Sequence, residues 1–221
     1  GDTNTHKPKW FVIGDSFTQA IQVSNGEEWY SYLENRFNDV EFFVYGGGGY
    51  GSLQEYMVLD DYVDRIHPNL ILWQFCTNDY YENYYEYDLW GYPVNSFSFR
   101  PYLEDGQIVW KLPLPFPQLR QYSFVADRLL NEYDKFRRRR LNEVLNEARG
   151  EDTAAYIRYR EEGRKKYFEQ AHSITLQIMK KVKERAKDIP IYLFNACNGA
   201  SDAEKQISLE TGIVLIEGIP E

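Results

Sequence analysis

The sequence contains few of the residues that build disulfide frameworks or metal centres. Two cysteines and three histidines occur among 221 residues, and the two cysteines cannot form a disulfide framework or a four-ligand zinc site. The histidines, His6, His67 and His172, share no metal-ligand spacing. We therefore expect neither a metal nor an organic cofactor.

Long apolar runs and an excess of positive charge are also missing. No stretch approaches the roughly 18 apolar residues of a membrane-spanning helix, so no transmembrane segment is expected. The net charge is −9, with 34 acidic against 25 basic residues, which argues against a nucleic-acid partner. Aromatic residues, by contrast, make up 17% of the chain and include 19 tyrosines, which excludes a disordered chain.

Short apolar segments alternate with helical patterns along most of the chain. This alternation predicts a three-layer α/β/α sandwich with a five-stranded parallel sheet. The predicted strands are Trp10–Ile13, Val40–Tyr45, Asn69–Cys76, Ile189–Ala196 and Ile213–Glu217. Helices are predicted near Trp29–Phe37, over Ser52–Ile66 with a Ser52–Glu55 capping box, and over Phe124–Ala148, Thr153–Ala186 and Asp202–Thr211.

The alternation breaks after the third strand. From Asp79 to about Tyr122 the chain is rich in tyrosine and proline and shows no sustained periodicity, which is typical of a functional loop. We therefore predict a single domain, residues 1–221, in which residues 80–150 form a long insertion made of a tyrosine-rich loop and a helix.

Polar and glycine-rich residues follow the first three predicted strands, where ligands bind in such sheets. Ser16 stands on a turn between a strand and a helix, the position of a nucleophile. The block Gly46–Gly51 lets a backbone amide approach a ligand, and Asn78 adds a neutral side-chain donor for a developing oxyanion. The alternatives are a serine helix cap, a flexible glycine turn and a phosphate loop, although no Gly-Lys-Ser or Gly-Lys-Thr follows the glycines.

These segments resemble the SGNH, or GDSL-type, hydrolases, a family of lipase-like esterases with a flavodoxin-like fold. The resemblance lies in GDSFT from Gly14, GGGGYG from Gly46 and CTND from Cys76. It implies that Ser16 is the nucleophile and that the amides of Ser16 and Gly49, with the Asn78 side chain, form the oxyanion hole. Gly46 resembles the block glycine less well than Gly49 does. Asp15 and Asp79 match motif positions, where they are expected to fix loops.

Two features depart from the family pattern. Cys76 stands where the third block usually begins with glycine, and no Asp-x-x-His occurs in the sequence. Ser16 therefore has no assigned general base, and the catalytic Asp and His are expected beyond Glu221. The three histidines are expected to be surface or structural residues, because a base must lie within hydrogen-bond reach of Ser16.

Aromatic residues just beyond Asn78 allow two interpretations. Tyr80, Tyr81, Tyr84 and Trp90 form either a wall that contacts a sugar ring or an acyl chain, or the packing of the insertion onto the domain.

The two cysteines also allow two interpretations. Cys76 and Cys197 follow strands that a doubly wound sheet places side by side, so they are either a disulfide or two buried thiols. A disulfide would imply a protein exported to the periplasm or secreted, rather than a cytoplasmic one.

The combined pattern predicts an enzyme that hydrolyses small-molecule or carbohydrate-linked carboxylic esters through Ser16. An O-acyltransferase that uses the same site is one alternative. A carbohydrate-binding, non-catalytic module of the same fold is the other.

Overall fold

The computed structural model of the chain describes residues 1–91, 99–111, 116–133, 135–136, 153–197 and 199–218. The strands are β1 (Lys9–Gly14), β2 (Glu41–Gly46), β3 (Leu70–Phe75), β4 (Arg100–Glu104), β5 (Gln107–Lys111), β6 (Ile191–Asn195) and β7 (Val214–Leu215). The helices are α1 (Ser16–Gln19), α2 (Trp29–Arg36), α3 (Ser52–Ile66), α4 (Asp79–Glu82), α5 (Tyr85–Gly91), α6 (Pro117–Tyr122), α7 (Thr153–Ala186) and α8 (Asp202–Thr211). Residues 124–133 and 135–136 are also helical.

Two compact units make up the described chain. The first comprises residues 1–82 and 172–221, and the second comprises residues 83–171. Residues 137–150, which include the end of the predicted insertion and of the predicted Phe124–Ala148 helix, lie outside the described residues.

A five-stranded parallel sheet in the order β2-β1-β3-β6-β7 forms the centre of the first unit, which confirms the predicted α/β fold. The order is that of flavodoxin-like sheets, in which the chain reverses its direction of winding at β1 and β3. The buried strands are almost wholly apolar, because both faces of a parallel sheet are covered by helices.

Helices cover both faces of this sheet. On one face Trp29 and Leu33 of α2 pack on a core of Val12, Phe42 and Leu72. Alternate strand residues, such as the fully buried Ile13 and Trp73, point to the other face. Right-handed crossovers place α3, α8 and the last part of α7 there.

The second unit contains a hairpin in place of the irregular loop expected up to Tyr122. β4 and β5 pair antiparallel through Asp105 and Gly106, which both have positive φ. Asp-Gly is a strong signal for a two-residue hairpin turn, and the sequence analysis missed it. Within β4, Tyr102 donates a 2.7 Å hydrogen bond to Asp88. Burial, with the Asp88 charge, raises the pKa of Tyr102.

Candidate active site

Three loops meet at the carboxyl edge of β2, β1 and β3, which are neighbours in the sheet. Ser16 begins α1 directly after β1, Gly46 ends β2, and Asn78 precedes α4. The amide of Gly47 donates to the Gly14 carbonyl at 3.2 Å, so the first two loops touch. The structure therefore brings together the segments that the sequence analysis selected.

Asp15 holds the turn that presents Ser16. Its Oδ1 accepts a 2.9 Å hydrogen bond from the Phe17 amide, the N-cap contact that satisfies a free N–H at a helix start. Its own amide donates to Oε1 of Gln74 at 3.2 Å. The Thr18 hydroxyl donates to the same oxygen at 2.8 Å. The turn is thus anchored to the buried central strand.

Ser16 itself is half-buried. Among the described residues, neither its hydroxyl nor its backbone N–H makes a hydrogen bond. Both groups are therefore available to a ligand at the carboxyl edge of the sheet.

The glycine block turns sharply between β2 and α3. Gly49 has φ of +72°, a conformation that favours glycine over residues with a Cβ. The Tyr50 amide closes the turn by donating to the Gly47 carbonyl at 3.1 Å. Within the described chain, the Gly49 amide has no hydrogen-bond acceptor.

The capping box predicted for Ser52 and Glu55 is wrong. The helix is capped one residue earlier: Gly51 is the N-cap, and its amide donates to Oε1 of Gln54 at 3.2 Å. Ser52 and Glu55 are instead fully buried. Their side-chain oxygens make no hydrogen bonds to the described part of the protein.

Asn78 is held by two carboxylates. Its Nδ2 donates to Oε2 of Glu82 at 2.9 Å and to Oδ2 of Asp15 at 3.3 Å. Asp15 therefore links the Ser16 turn to Asn78. The sequence analysis missed Glu82, although its position four residues after Asn78 is the spacing at which helical side chains meet.

Buried carboxyl groups surround this contact. Glu55 and Asp79 are fully buried, and Glu82 is 8% exposed. Burial, reinforced by the Asp15 charge, raises the pKa of Glu55 well above its usual range. Burial and the neighbouring Glu55 raise the pKa of Asp79 in the same direction. Oδ2 of Asp79 accepts a 3.0 Å hydrogen bond from the Cys76 amide, so Asp79 supports the turn before Asn78.

Cys76 and Cys197 form a disulfide with a Cα–Cα distance of 5.4 Å. It joins the end of β3 to the loop after β6, the strand beside it in the sheet. Of the two interpretations, a disulfide or two buried thiols, the structure shows the disulfide. The bridge lies two residues from Asn78 and restrains the third loop.

None of the three histidines meets the Ser16 turn through a described contact. His6 lies in the segment before β1, and His67 ends α3 just before β3, at the opposite, amino edge of the sheet. The ring Nε2 of His172 lies 3.2 Å from the Ala203 carbonyl oxygen.

The aromatic residues named for a substrate wall differ in their surroundings. Tyr80 is 2% exposed and its hydroxyl donates to Oε1 of Glu204 at 2.9 Å, so it belongs to the core. Tyr81 is half-buried. In the second unit, Tyr84 and Trp90 both pack against Tyr167, with ring centroids 6.2 and 5.9 Å away.

A metal centre is not evident at these loops. Within the described ranges, no group of three or more His, Cys, Asp or Glu side chains is arranged to hold a metal ion. Likewise, no described helix is both long and apolar enough to cross a membrane.

No protein-family model and no curated protein matches the chain. The structure is similar to the crystal structure of AlinE4, an SGNH-hydrolase family esterase, with 11% sequence identity and a TM-score of 0.46 over 96% of this chain and 76% of that one. It is also similar to the structure of a mutant of that esterase, with 11% identity and a TM-score of 0.44 over the same shares of the two chains. At this identity, the similarity assigns no role to any residue of this chain.

Proposed function

We propose that the chain is a serine ester hydrolase of the SGNH type, with Ser16 as its nucleophile. The observation that supports this most is the meeting of three loops. They are the Ser16 turn, whose hydroxyl and amide make no hydrogen bond to the described part of the chain, a glycine turn, and Asn78, which Asp15 ties to the first loop. For acyl transfer, the nucleophile and the oxyanion donors must all lie within reach of the same carbonyl group.

The reaction follows the general serine mechanism. The Ser16 hydroxyl attacks the ester carbonyl carbon while a general base takes its proton. The oxyanion accepts hydrogen bonds from the amides of Ser16 and Gly49 and from the Asn78 side chain. Collapse expels the alcohol, which takes the proton from the base, and water then hydrolyses the acyl-enzyme by the same steps.

The general base is not assigned to any of the three histidines, because no described contact joins one of them to the Ser16 turn. His67 lies at the opposite edge of the sheet, and His172 faces the Ala203 carbonyl. The proposed reaction therefore requires a general base other than these three histidines.

For the substrate we propose a small or carbohydrate-linked O-acyl ester. The exposed apolar side chain that follows Ser16, Phe17 at 50% exposure, and the half-buried Tyr81 supply aromatic surface in the first unit. Such rings contact the apolar faces of sugars and acyl chains. We also propose an oxidising compartment outside the cytoplasm, because structural disulfides such as Cys76–Cys197 persist there.

A non-catalytic, carbohydrate-binding module is the second candidate. It is favoured by one observation: the Asn78 Nδ2 already donates to two carboxylates. In this arrangement Asn78 does not donate to a substrate oxyanion. Such a module would bind a sugar equally well after Ser16→Ala and would never turn over an ester.

Turnover of p-nitrophenyl acetate by the full protein separates the two candidates. The hydrolase should show a burst of nitrophenol followed by steady turnover. Ser16→Ala should remove both, and Ser24→Ala, which changes an exposed serine in the loop after α1, should change neither. Turnover that survives Ser16→Ala would contradict the proposed nucleophile. An acceptor sugar that diverts the acyl group from water would indicate an acyltransferase.

A further inference from the structure

The amide of Asn78 is oriented by two carboxylates from different elements. Asp15 approaches from the turn after β1, and Glu82 approaches from the last residue of α4. With Nδ2 facing them, both N–H groups meet acceptors. The reversed amide would place its carbonyl against two carboxylate oxygens, which is repulsive.

The two contacts are unequal. The Asn78–Glu82 distance is 2.9 Å, within the normal range, whereas the Asn78–Asp15 distance of 3.3 Å is long. Glu82 is 8% exposed, and a hydrogen bond to a shielded carboxylate is stronger than one between neutral groups. Asp15 already uses its other oxygen to cap α1 at Phe17. The hydrogen bond to Glu82 is therefore the stronger of the two that orient the Asn78 amide.

Asn78 is half-buried, although Asp79 beside it is fully buried. Its backbone is fixed as well, because its carbonyl accepts from the amides of Tyr81 and Glu82, both at 3.1 Å. A side chain with a fixed backbone and one firmly held N–H can present its second N–H in a defined direction.

We propose that Glu82 is a positioning residue for Asn78. Glu82 keeps one N–H of the amide, while the second N–H exchanges its long contact with Asp15 for the substrate oxyanion. This inference rests on the proposed function. It assigns to Glu82 a part in the rate of the chemical step, with no contact to the substrate.

Two substitutions separate the acceptor role of Glu82 from its volume. Glu82→Met keeps an unbranched side chain but removes the acceptor oxygens, whereas Glu82→Gln keeps a neutral acceptor. The control is Glu34→Met, which changes an exposed glutamate on α2. The readouts are kcat and KM for p-nitrophenyl acetate, and the side-chain ¹H–¹⁵N cross-peaks of Asn78, identified by their loss in Asn78→Ala.

Glu82→Met should lower kcat by about 10-fold to 100-fold, somewhat less than the loss of an oxyanion donor, with KM within about 2-fold. The side-chain amide proton of Asn78 that is hydrogen-bonded to Glu82 should resonate downfield in the wild type and move upfield in this variant. In Glu82→Gln the proton should move less, and kcat should stay within about 3-fold of the wild-type value. If Glu82→Met does not fold, the shift of the Asn78 side-chain proton in Glu82→Gln still decides. A neutral oxygen is the weaker acceptor, so the proton should move upfield, and an unchanged shift would overturn the proposal.

Three further results would overturn the positioning role. If the wild type turns over the ester and Glu82→Met has the same kcat, Glu82 does not position Asn78, and the proposed function is unaffected. Equal losses of kcat in the Met and Gln variants would point to burial or folding. A wild type without turnover would refute the proposed function, and a Glu82-dependent Asn78 proton would then show a purely structural contact.

Discussion

Gly46, the last residue of β2, packs directly against the backbone amide of Gln19 in α1. A Cβ at position 46 would overlap the Gln19 nitrogen and the Thr18 carbonyl carbon, both of which are backbone atoms. The close approach of β2 to the Ser16 helix therefore requires glycine at this position. Gly46 thus has a packing role that is independent of any contact with substrate.

Gly46→Ala should destabilise the protein by about 1–3 kcal/mol, because the α1 backbone must move to admit the methyl group. Gly48→Ala is the matched control. Its Cβ would meet chiefly Oε1 of Gln19, the end of a flexible side chain, so a change within about 0.5 kcal/mol is expected. Urea unfolding of both variants measures this, and equal stabilities would contradict the packing role.

Glu55→Gln should stabilise the protein at neutral and alkaline pH. The folded protein holds the Glu55 proton more tightly than the unfolded chain, whose glutamate pKa is near 4.5. Stability is therefore greatest below that pKa and falls as pH rises toward the raised pKa of the folded state. Glutamine cannot ionise, so this loss disappears in the variant.

The gain should increase as pH rises toward 8, because only the wild type must then either keep Glu55 protonated or bury its charge. It should shrink toward zero below about pH 4, where the carboxyl is protonated in both states. Thermal unfolding between these pH values measures the difference. The exposed Glu34→Gln should show no such trend, and a Glu55→Gln variant that is less stable at every pH would refute the prediction.

Loss of the Cys76–Cys197 disulfide should lower the free energy of unfolding by about 2–5 kcal/mol. The bridge spans a sequence separation of 121 residues, and its removal frees a long loop in the unfolded chain. A Cys76→Ala/Cys197→Ala variant and the reduced wild type should melt at similar, lower temperatures. Reductant should not affect the double variant. Alkylation of both cysteines without prior reduction would show that no bridge exists.

The central sheet was predictable from the sequence because each of its strands is recognisable from its own residues. Buried parallel strands are continuous apolar runs, so Leu70–Phe75 and Ile191–Asn195 differ by only one or two residues at each end from the predicted strands. The helix Thr153–Ala186 was predicted with the bounds that the structure has.

Features that depend on tertiary contacts were less predictable. Serine is a common N-cap residue, yet Ser52 is fully buried and Gly51 is the N-cap of α3. The Asn78–Glu82 contact depends on the tight turn of α4. The catalytic roles of Ser16, Gly49 and Asn78 remain predictions, because they concern a reaction and not a fold.

Covalent labelling of the full protein with a fluorophosphonate, read by intact mass, tests the role of Ser16 most directly. An activated serine attacks phosphorus, displaces fluoride and keeps the phosphonyl group, whereas an ordinary hydroxyl does not react. We predict one adduct in the wild type and in Ser24→Ala, and none in Ser16→Ala. A wild type without an adduct, or an adduct that persists in Ser16→Ala, would contradict the assignment of Ser16 as the nucleophile.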